Sequence, residues 1–551
     1  MFYSSFSTKK NLLFLTLIYA CLSIGKFVLP ATDRDESRFA QASKQMVETG
    51  DYWSIKFLDQ PRNKKPIGIY WVQAGFVKVA QFLGVKNAEI RISVYRLPNV
   101  LAGFGMLLAM FFLFRGMIGE KSAAMATTLM AVSLLTVVES FLAKTDTVLL
   151  MLIVIQQGLL ARWYTAQLAD KKNNSSELAV MWVAMALAVL IKGPIAPVIF
   201  LLTLLTLRFG FKANIKLNSL GWIKGALILA LVNVPWFAMV QWKSSGAYAA
   251  HAIGVDFIPK LLKGQESHGF YPGYYTLTAF ILLWPGSLLV FRTLPRWWAL
   301  RKNPIAQFFL AWLVPSWLMF EMIPTKLPHY VLPLMPAIWL LTATVWKRYH
   351  EIQESPLFIK ILAALFAVLT IGLFGFFPAL TFLEFSNVTW GFLVLASAIC
   401  LYLISSSGFG LRFSKRLVIG AVGFYVLAFT FFLPNMKFLW LSESIYEARN
   451  LTDSLEKPLV VVRFNEPSLY FKNGTDVKVV TSTADALNKI NHQGGVAMIT
   501  ASDSQQDSVM FYDFKDKKFV KDQNDNTQIK SLNYSRNKWQ DYALVKGRDV
   551  R

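Results

Sequence analysis

Charge is scarce in this chain. Of its 551 residues only 16% are Asp, Glu, Lys or Arg, while 55% are hydrophobic and 15% aromatic. Soluble domains carry about a quarter charged residues, so this composition excludes an ordinary soluble protein and leads us to expect a polytopic membrane protein. Cysteine is scarcer still. Cys21 and Cys400 both lie in apolar segments; they say nothing about disulfides, and their spacing excludes a Cys-based metal motif. No internal repeat and no low-complexity segment is present, and a transporter or flippase of two matching halves would show such symmetry. Acids are the minority charge: 33 Asp and Glu stand against 56 Lys and Arg, a formal +23. In so apolar a chain that surplus points to anionic lipid headgroups and lipid-borne phosphates as partners, not to nucleic acid.

Long apolar runs are abundant. Thirteen can be placed, at 11–29, 97–114, 123–141, 147–161, 178–191, 195–207, 222–242, 274–291, 306–321, 331–346, 358–376, 388–405 and 417–434. Lys9 and Lys10 precede the first as in a signal peptide, but 11–29 has spanning length and no small-residue cleavage site, so an uncleaved helix is expected. Every second short loop is basic: Arg115 with Lys121, Arg162 with Lys171 and Lys172, Arg208 with Lys212, Arg292 with Arg296, Lys347 with Arg348, and Arg412 with Lys415. The positive-inside rule puts this set in the cytoplasm. Residues 30–96 and 243–273 then form loops on the opposite side.

One further apolar stretch, Pro66 to Gly84, would reverse every later loop if counted as a span. It holds Gln73, Lys78 and Gln81, starts at a proline suited to a first helical turn and ends in glycine, so an interfacial helix anchored by Tyr70 and Trp71 is expected. After residue 435 the composition changes. "KPLVVVRF", "VKVVTS" and "GGVAMITA" read as strands between helix-compatible stretches, giving a transmembrane domain over 1–435 and a small periplasmic α/β domain over 436–551.

Chemistry-bearing residues crowd the ends of the spans on one side. "ATDRDESRFAQASKQMVETGDYW" (Ala31 to Trp53) follows the first span directly. A helix starting near Asp33, with Glu36 completing a capping box, Phe39, Ala42 and Met46 as its apolar stripe and Gly50 at its end, accounts for two of the charges. Capping does not account for Asp35 and Arg38, and there the structural and functional readings both stay open. Asp146, in "FLAKTDTVLL", is an N-cap for the following span or a functional acid. Lys192, in "IKGPIAP", snorkels to the interface or serves a site. Lys64 and Lys65 precede the Pro66 helix, where a phosphate would be favoured, although solvated lysines would look the same. "GQESHGFYPGYY" supplies Glu266 and His268, and "IPTKLPHYVLP" supplies Lys326, His329 and Tyr330. Carboxylates, cations and aromatics gathered on one face suit a phosphate-bearing lipid whose sugar is gripped and transferred.

These motifs, with "KKPIGIYW", "TDTVLL", "IKGP" and "VPWF" in this order, resemble the signature of the bacterial lipid A aminoarabinose transferases. Their relatives include the protein O-mannosyltransferases, and all are membrane glycosyltransferases of the C-type fold. The likeness covers roughly the first 340 residues. It implies an undecaprenyl-phosphate sugar donor, a periplasmic active site, inversion at the anomeric carbon, and lipid A or lipopolysaccharide as acceptor. By motif position, Asp35 is similar to the essential acid of the first loop and Asp146 to a second acid. Arg38 follows as in the family, while Lys65 matches the donor-phosphate lysine and Tyr330 the tyrosine beside that phosphate. Two positions depart. Phe39 replaces a tyrosine, and Lys64 replaces a glutamate that helps hold a metal in the aminoarabinose branch. His268 is the other candidate ligand. A cation at position 64 disfavours a bound divalent metal, so no cofactor is expected, and a hexose, hexosamine or uronic acid is as open as aminoarabinose.

Orientation is directly testable. A cysteine at Ser267 should react with a membrane-impermeant thiol reagent in cells with a permeabilised outer membrane, and one at Asn173 should not. The reverse pattern would mean that 66–84 is a span.

Overall fold

The computed structural model describes residues 8–257, 270–348, 356–381, 386–407, 413–451, 455–493, 495–500, 509–521, 523, 527–533 and 538–547. Glu266, Ser267, His268 and Arg412 lie outside them. Among the described residues ten helices are long and apolar enough to cross a membrane, or eleven if the pair Glu120–Val132 and Leu134–Phe141, bent by 56°, counts as one span. The chain is thus a multi-pass helical membrane protein.

Two of the thirteen expected segments do not make such helices. The stretch Ile195–Gly210 is a shorter apolar helix; at 1.5 Å per residue it reaches about 24 Å, short of a hydrocarbon core. The run at 274–291 breaks into helices Tyr274–Leu282 and Ser287–Trp297, because Pro285 and Gly286 interrupt the helical hydrogen-bond ladder. The Pro66–Gly84 stretch forms a 15-residue helix, Gly68–Phe82, starting two residues beyond Pro66. Tyr70 does not anchor it at a surface: Tyr70, Gln73 and Val77 are buried, while Lys78, Val79 and Phe82 are exposed. Aromatic bulk on its inner face meets the helix Asp35–Thr49, with Phe39 and Tyr70 ring centroids 5.2 Å apart. At Gly68 a Cβ would sit 2.7 Å from the carbonyl oxygen of Leu190. This close approach brings the Lys64–Lys65 segment against the end of the helix Ser175–Lys192.

The helix Asp35–Thr49 buries its expected stripe, Phe39, Ala42 and Met46, and ends at Gly50, whose φ of 70° suits glycine and whose N–H reaches Met46 O. Its start differs from the capping box. Arg34 occupies the cap position at φ 64° and no side chain caps the helix. The turn at Arg34 aims Asp33 away, and Glu36 is drawn inward to an arginine.

Asp33 instead caps a distant helix. Its Oδ1 accepts the N–H of Ser468 at 3.2 Å, at the start of helix Pro467–Asn473. That helix belongs to the C-terminal region, where the strands Leu459–Val462, Lys478–Val480 and Val496–Thr500 form within the three expected runs. They pair in parallel, with Val461 opposite Val479 on one side and Met498 on the other. The strand Lys538–Gly547 extends the sheet antiparallel from Val496–Thr500. Helix Pro467–Asn473 is also tied to Asp35–Thr49 by Lys44 Nζ, which donates to Phe471 O at 3.2 Å. Phe471 in turn packs edge-on against Tyr95, ring centroids 5.1 Å apart.

Burial pushes the Asp33 carboxyl up to about 7, the nearby Glu466 adds repulsion, and the Ser468 bonds oppose both. A carboxyl raised above its unfolded value of about 4 holds its proton in the folded protein. Its contribution is then full below pH ~4 and is lost as pH rises through about 7. Protection against hydrogen exchange at 467–473, taken relative to the intrinsic exchange rate at each pH, should therefore be lower at pH 8 than at pH 5.5, and Asp33→Asn should flatten that difference. An unchanged pH dependence in the variant would assign the effect to another group.

Candidate active site

The site is built on a buried ion pair. Glu36 and Arg96 side chains are fully shielded, with Arg96 Nε 2.8 Å from Glu36 Oε1 and Nη2 2.8 Å from Oε2. Buried charges require their remaining hydrogen-bonding capacity to be filled. Arg96 also donates to the carbonyls of Lys26 at 3.1 Å, Leu29 at 2.5 Å and Pro30 at 2.9 Å. Glu36 accepts from Thr32 N and Oγ1, both at 2.9 Å, and from Ala143 N at 2.8 Å. Burial raises the Glu36 carboxyl, but the charge and hydrogen bonds of Arg96 outweigh it and hold the group below its ordinary value. One pair thus joins the end of the first span, the first-loop helix, the span Ile92–Ile118 and the 142–146 loop.

Two neutral side chains complete the mould for that loop. Gln73 Nε2 donates to Ala143 O at 2.9 Å while its Oε1 accepts from Ser43 Oγ at 2.7 Å. Asn99 Nδ2 donates to the carbonyls of Leu142 and Lys144. With its backbone held from three helices, the loop turns Lys144 and Asp146 inward. Lys144 Nζ lies 2.8 Å from Glu139 Oε2 and 3.6 Å from Asp146 Oδ2, and 3.4 Å from His329 Nδ1. Burial lowers the Lys144 ammonium, but the neighbouring Glu139 and Asp146 charges overcome it and raise the group. Lys192 Nζ closes on Asp146 Oδ1 at 2.5 Å and stands over the Tyr330 ring, 5.7 Å from its centroid. Asp146 is the first residue of helix Asp146–Leu168, and Thr145 precedes it as the cap residue. Neither capping nor snorkelling describes this pair: both groups are buried and compensate each other.

Above the network opens a cleft of about 720 Å³. Its walls bring together Asp35, Arg38, Lys64, Lys65, Asp146, Lys192 and Tyr330, seven of the ten residues expected to form a site. Arg38 Nη1 lies 3.9 Å from Asp35 Oδ1, one helical turn away. Arg34, immediately before Asp35, holds a left-handed φ that costs a non-glycine residue about 1–3 kcal/mol, so the first turn of this helix is strained at the cleft mouth. Six cations, namely Arg38, Arg62, Lys64, Lys65, Lys144 and Lys192, share the wall with only two carboxylates, Asp35 and Asp146. By composition the cleft wall is positively charged.

Lys326 is a correction. It is buried outside the cleft wall, and its Nζ donates to the carbonyls of Phe320 at 3.2 Å, Glu321 at 2.6 Å and Ile323 at 2.7 Å. Helix Pro304–Met322 ends there with carbonyls that lack intrahelical partners, and the ammonium satisfies them. It caps a helix. Glu266 and His268 lie outside the described residues.

Sequence reasoning missed Arg62, Glu139 and Lys144. Arg62 is hidden in the run "RNKKP", which looks like solvated basic loop. In the structure its guanidinium lies 5.4 Å from the Phe39 ring centroid, and Nε donates to Tyr70 OH at 3.3 Å. Glu139 and Lys144 carried a usable signal, since two charges five residues apart at a helix end in apolar sequence need partners. The described residues of the cleft do not by themselves make a divalent-metal site, and the candidate ligand His268 lies outside them. Among the described residues no group of three or more His, Cys, Asp or Glu stands close enough to hold one, Asp146 is taken up by two lysines, and Lys64 puts a cation on the wall.

The chain is similar to known proteins. Residues 64–238 match the dolichyl-phosphate-mannose-protein mannosyltransferase family. An undecaprenyl phosphate-alpha-4-amino-4-deoxy-L-arabinose arabinosyl transferase of Proteus mirabilis is 25% identical over 349 residues, 59% of this chain and 58% of that protein. The corresponding transferase of Erwinia tasmaniensis is 26% identical over 348 residues, 61% of this chain and 59% of its own length. The chain thus aligns with under two thirds of these relatives. In three dimensions the likeness extends further. The crystal structure of ArnT from Cupriavidus metallidurans bound to undecaprenyl phosphate superposes over 99% of both chains with a TM-score of 0.71 at 16% identity. Its apo form gives 0.69 over 98% of both. The chain thus shares the fold of this ArnT structure, as the motifs led us to expect.

Removing one member of a buried ion pair leaves the other uncompensated and costs about 3–5 kcal/mol. Arg96→Ala should therefore lower the unfolding midpoint of the detergent-solubilised protein sharply, while Asp35→Asn, at an exposed position, should leave it unchanged. Equal midpoints for Arg96→Ala and the wild type would remove the pair from its central place.

Proposed function

We propose that this relative of the aminoarabinose transferases is an inverting glycosyltransferase of the bacterial inner membrane. Its cleft faces the periplasm, takes a sugar carried on undecaprenyl phosphate, and transfers it to lipid A or another part of lipopolysaccharide. The observation that carries this reading is the cationic excess of the cleft, six to two, at the ends of membrane-spanning helices. A sugar phosphodiester presents one negative charge, and its cleavage leaves a phosphate monoester that carries more. Positive groups fixed beforehand stabilise the transition state in which that charge develops.

In the reaction an acceptor oxygen attacks the anomeric carbon from the face opposite the phosphate. The carbon–oxygen bond to phosphate breaks and its electron pair stays with the phosphate oxygen. Lys65, with Arg38, Lys64 and the Tyr330 hydroxyl, receives that charge. Asp146, held between Lys192 and Lys144, sets the positions of both ammonium groups. Asp35 stands at the mouth, where it takes the proton of a hydroxyl acceptor; toward a lipid A phosphate, already anionic, it instead steadies positive charge on the sugar. The match to the protein mannosyltransferase family favours a protein hydroxyl as the second acceptor reading. With Lys64 and Lys65 adjacent, two cations do the electrostatic work of a metal. Transfer should then survive chelators.

Purified protein given a radiolabelled undecaprenyl-phosphate sugar and lipid A tests the assignment. Asp35→Asn should lower turnover by about two or more orders of magnitude without loss of protein from the membrane. Lys65→Ala should impair donor use with the fold intact. Near wild-type kinetics for both variants would overturn these roles, and lipid A and core oligosaccharide of unchanged mass in a deletion strain would overturn the acceptor.

A further inference from the structure

A second cavity lies at the opposite end of the helices that form the cleft. Helix Asp146–Leu168 begins in the cleft and helix Ser175–Lys192 ends there. Arg162, on the former, is about 24 Å along the axis from Asp146, and Glu177 opens the latter. Between these ends and the last turn of the span Ile92–Ile118 is a cavity of about 1420 Å³.

Its lining mixes two kinds of side chain. Phe112, Leu113, Met117, Leu159 and Leu178 are apolar. Arg115, Arg162, Lys171 and Lys172 stand against one acid, Glu177. Arg162 Nη2 is paired with Glu177 Oε1 at 2.8 Å. Arg115 is held over the Phe112 ring, 4.8 Å from its centroid, so its charge is positioned by an aromatic face and not by an acid. Asn173 stiffens the rim by accepting from Gln167 Nε2 at 3.0 Å. The bias toward basic loops on one side of a membrane accounts for the number of these cations. It does not account for a cavity, nor for the apolar side chains that line it beside the cations.

We propose that this cavity binds the headgroup of an anionic phospholipid. Arg115, Lys171 and Lys172 hold the phosphodiester, and the acyl chains leave along Phe112 and Leu113. Phe112 is 42% exposed, so this apolar part of the lining opens outward where the spans meet lipid. A soluble anion would use the cations alone; a ligand with a charged head and apolar tails uses both kinds of side chain. The inference is independent of the cleft and of the reaction assigned to it.

Native mass spectrometry of the full chain, titrated with phosphatidylglycerol, tests it. Arg115→Gln with Lys172→Gln should weaken lipid retention about tenfold. Lys121→Gln, at an exposed lysine in the same basic loop as Arg115 but outside the cavity lining, should bind as the wild type does. Neither phosphatidylcholine nor free sn-glycerol 3-phosphate should displace the bound lipid, and the unfolding midpoint in phosphatidylcholine should be the same for all three proteins. Wild-type retention by the double variant would overturn the proposal, as would an equal loss in Lys121→Gln, which would assign the effect to bulk surface charge. Competition by sn-glycerol 3-phosphate would overturn it in favour of a soluble-anion site.

Discussion

The pairing of Glu36 with Arg96 is the contact on which the rest of the site depends. Both side chains are removed from water, and each uses its remaining bonds on backbone groups. A buried ion pair contributes little net stability when compared with well-packed apolar groups, but it tolerates only one geometry. Here that geometry fixes where the first-loop helix begins relative to the span Ile92–Ile118. Through Ala143 it also fixes the height of the loop that carries Lys144 and Asp146. Asp35 is one residue from Glu36, and its place at the cleft mouth follows from its neighbour's place in the interior.

Below the cleft, charge is balanced; on its walls it is not. Glu139 and Asp146 meet Lys144 and Lys192 in a compact buried group whose formal charges cancel. Such a group has little reason to move, because displacing any member exposes another to an uncompensated interior. The adjoining wall adds Arg38, Arg62, Lys64 and Lys65, with Asp35 as its acid. A rigid neutral floor under a positive rim is a workable arrangement for receiving a phosphate: the floor keeps the rim's geometry, and the rim supplies the field.

The apolar periodicity made the spans legible, and the strand runs after residue 435 could be read from their β-branched residues. Where the sequence misled, a competing local explanation had been sufficient. Glu36 three residues after Asp33 satisfies a capping box on paper, and nothing local reveals an arginine 60 residues away. Lys326 looked like one more cation in a busy loop, and only the end of helix Pro304–Met322 shows where its charge is used. Asp146 and Lys192 each had a plausible solitary role until the fold put them 2.5 Å apart. Residues 195–210 and 274–291 had the right composition, but apolar content does not count turns, and a Pro–Gly step divides the second. Residue types at the site were therefore visible, whereas their pairings, which are set by contacts distant in sequence, were not.

The helix Pro467–Asn473 rests on the first-loop helix, with Ser468 and Asp33 435 positions apart. A ribosome making this protein therefore delivers the two halves of that contact 435 residues apart. At an elongation rate of about 5–20 residues per second, the first loop waits some tens of seconds for the segment that covers it. During that interval the spans are inserted while Asp33, Lys44 and Tyr95 lack their eventual neighbours. A nascent or truncated chain ending before residue 467 would carry the cleft residues without the helix that braces them from behind. Assembly of this contact therefore waits on residues made far downstream, and elongation sets the delay.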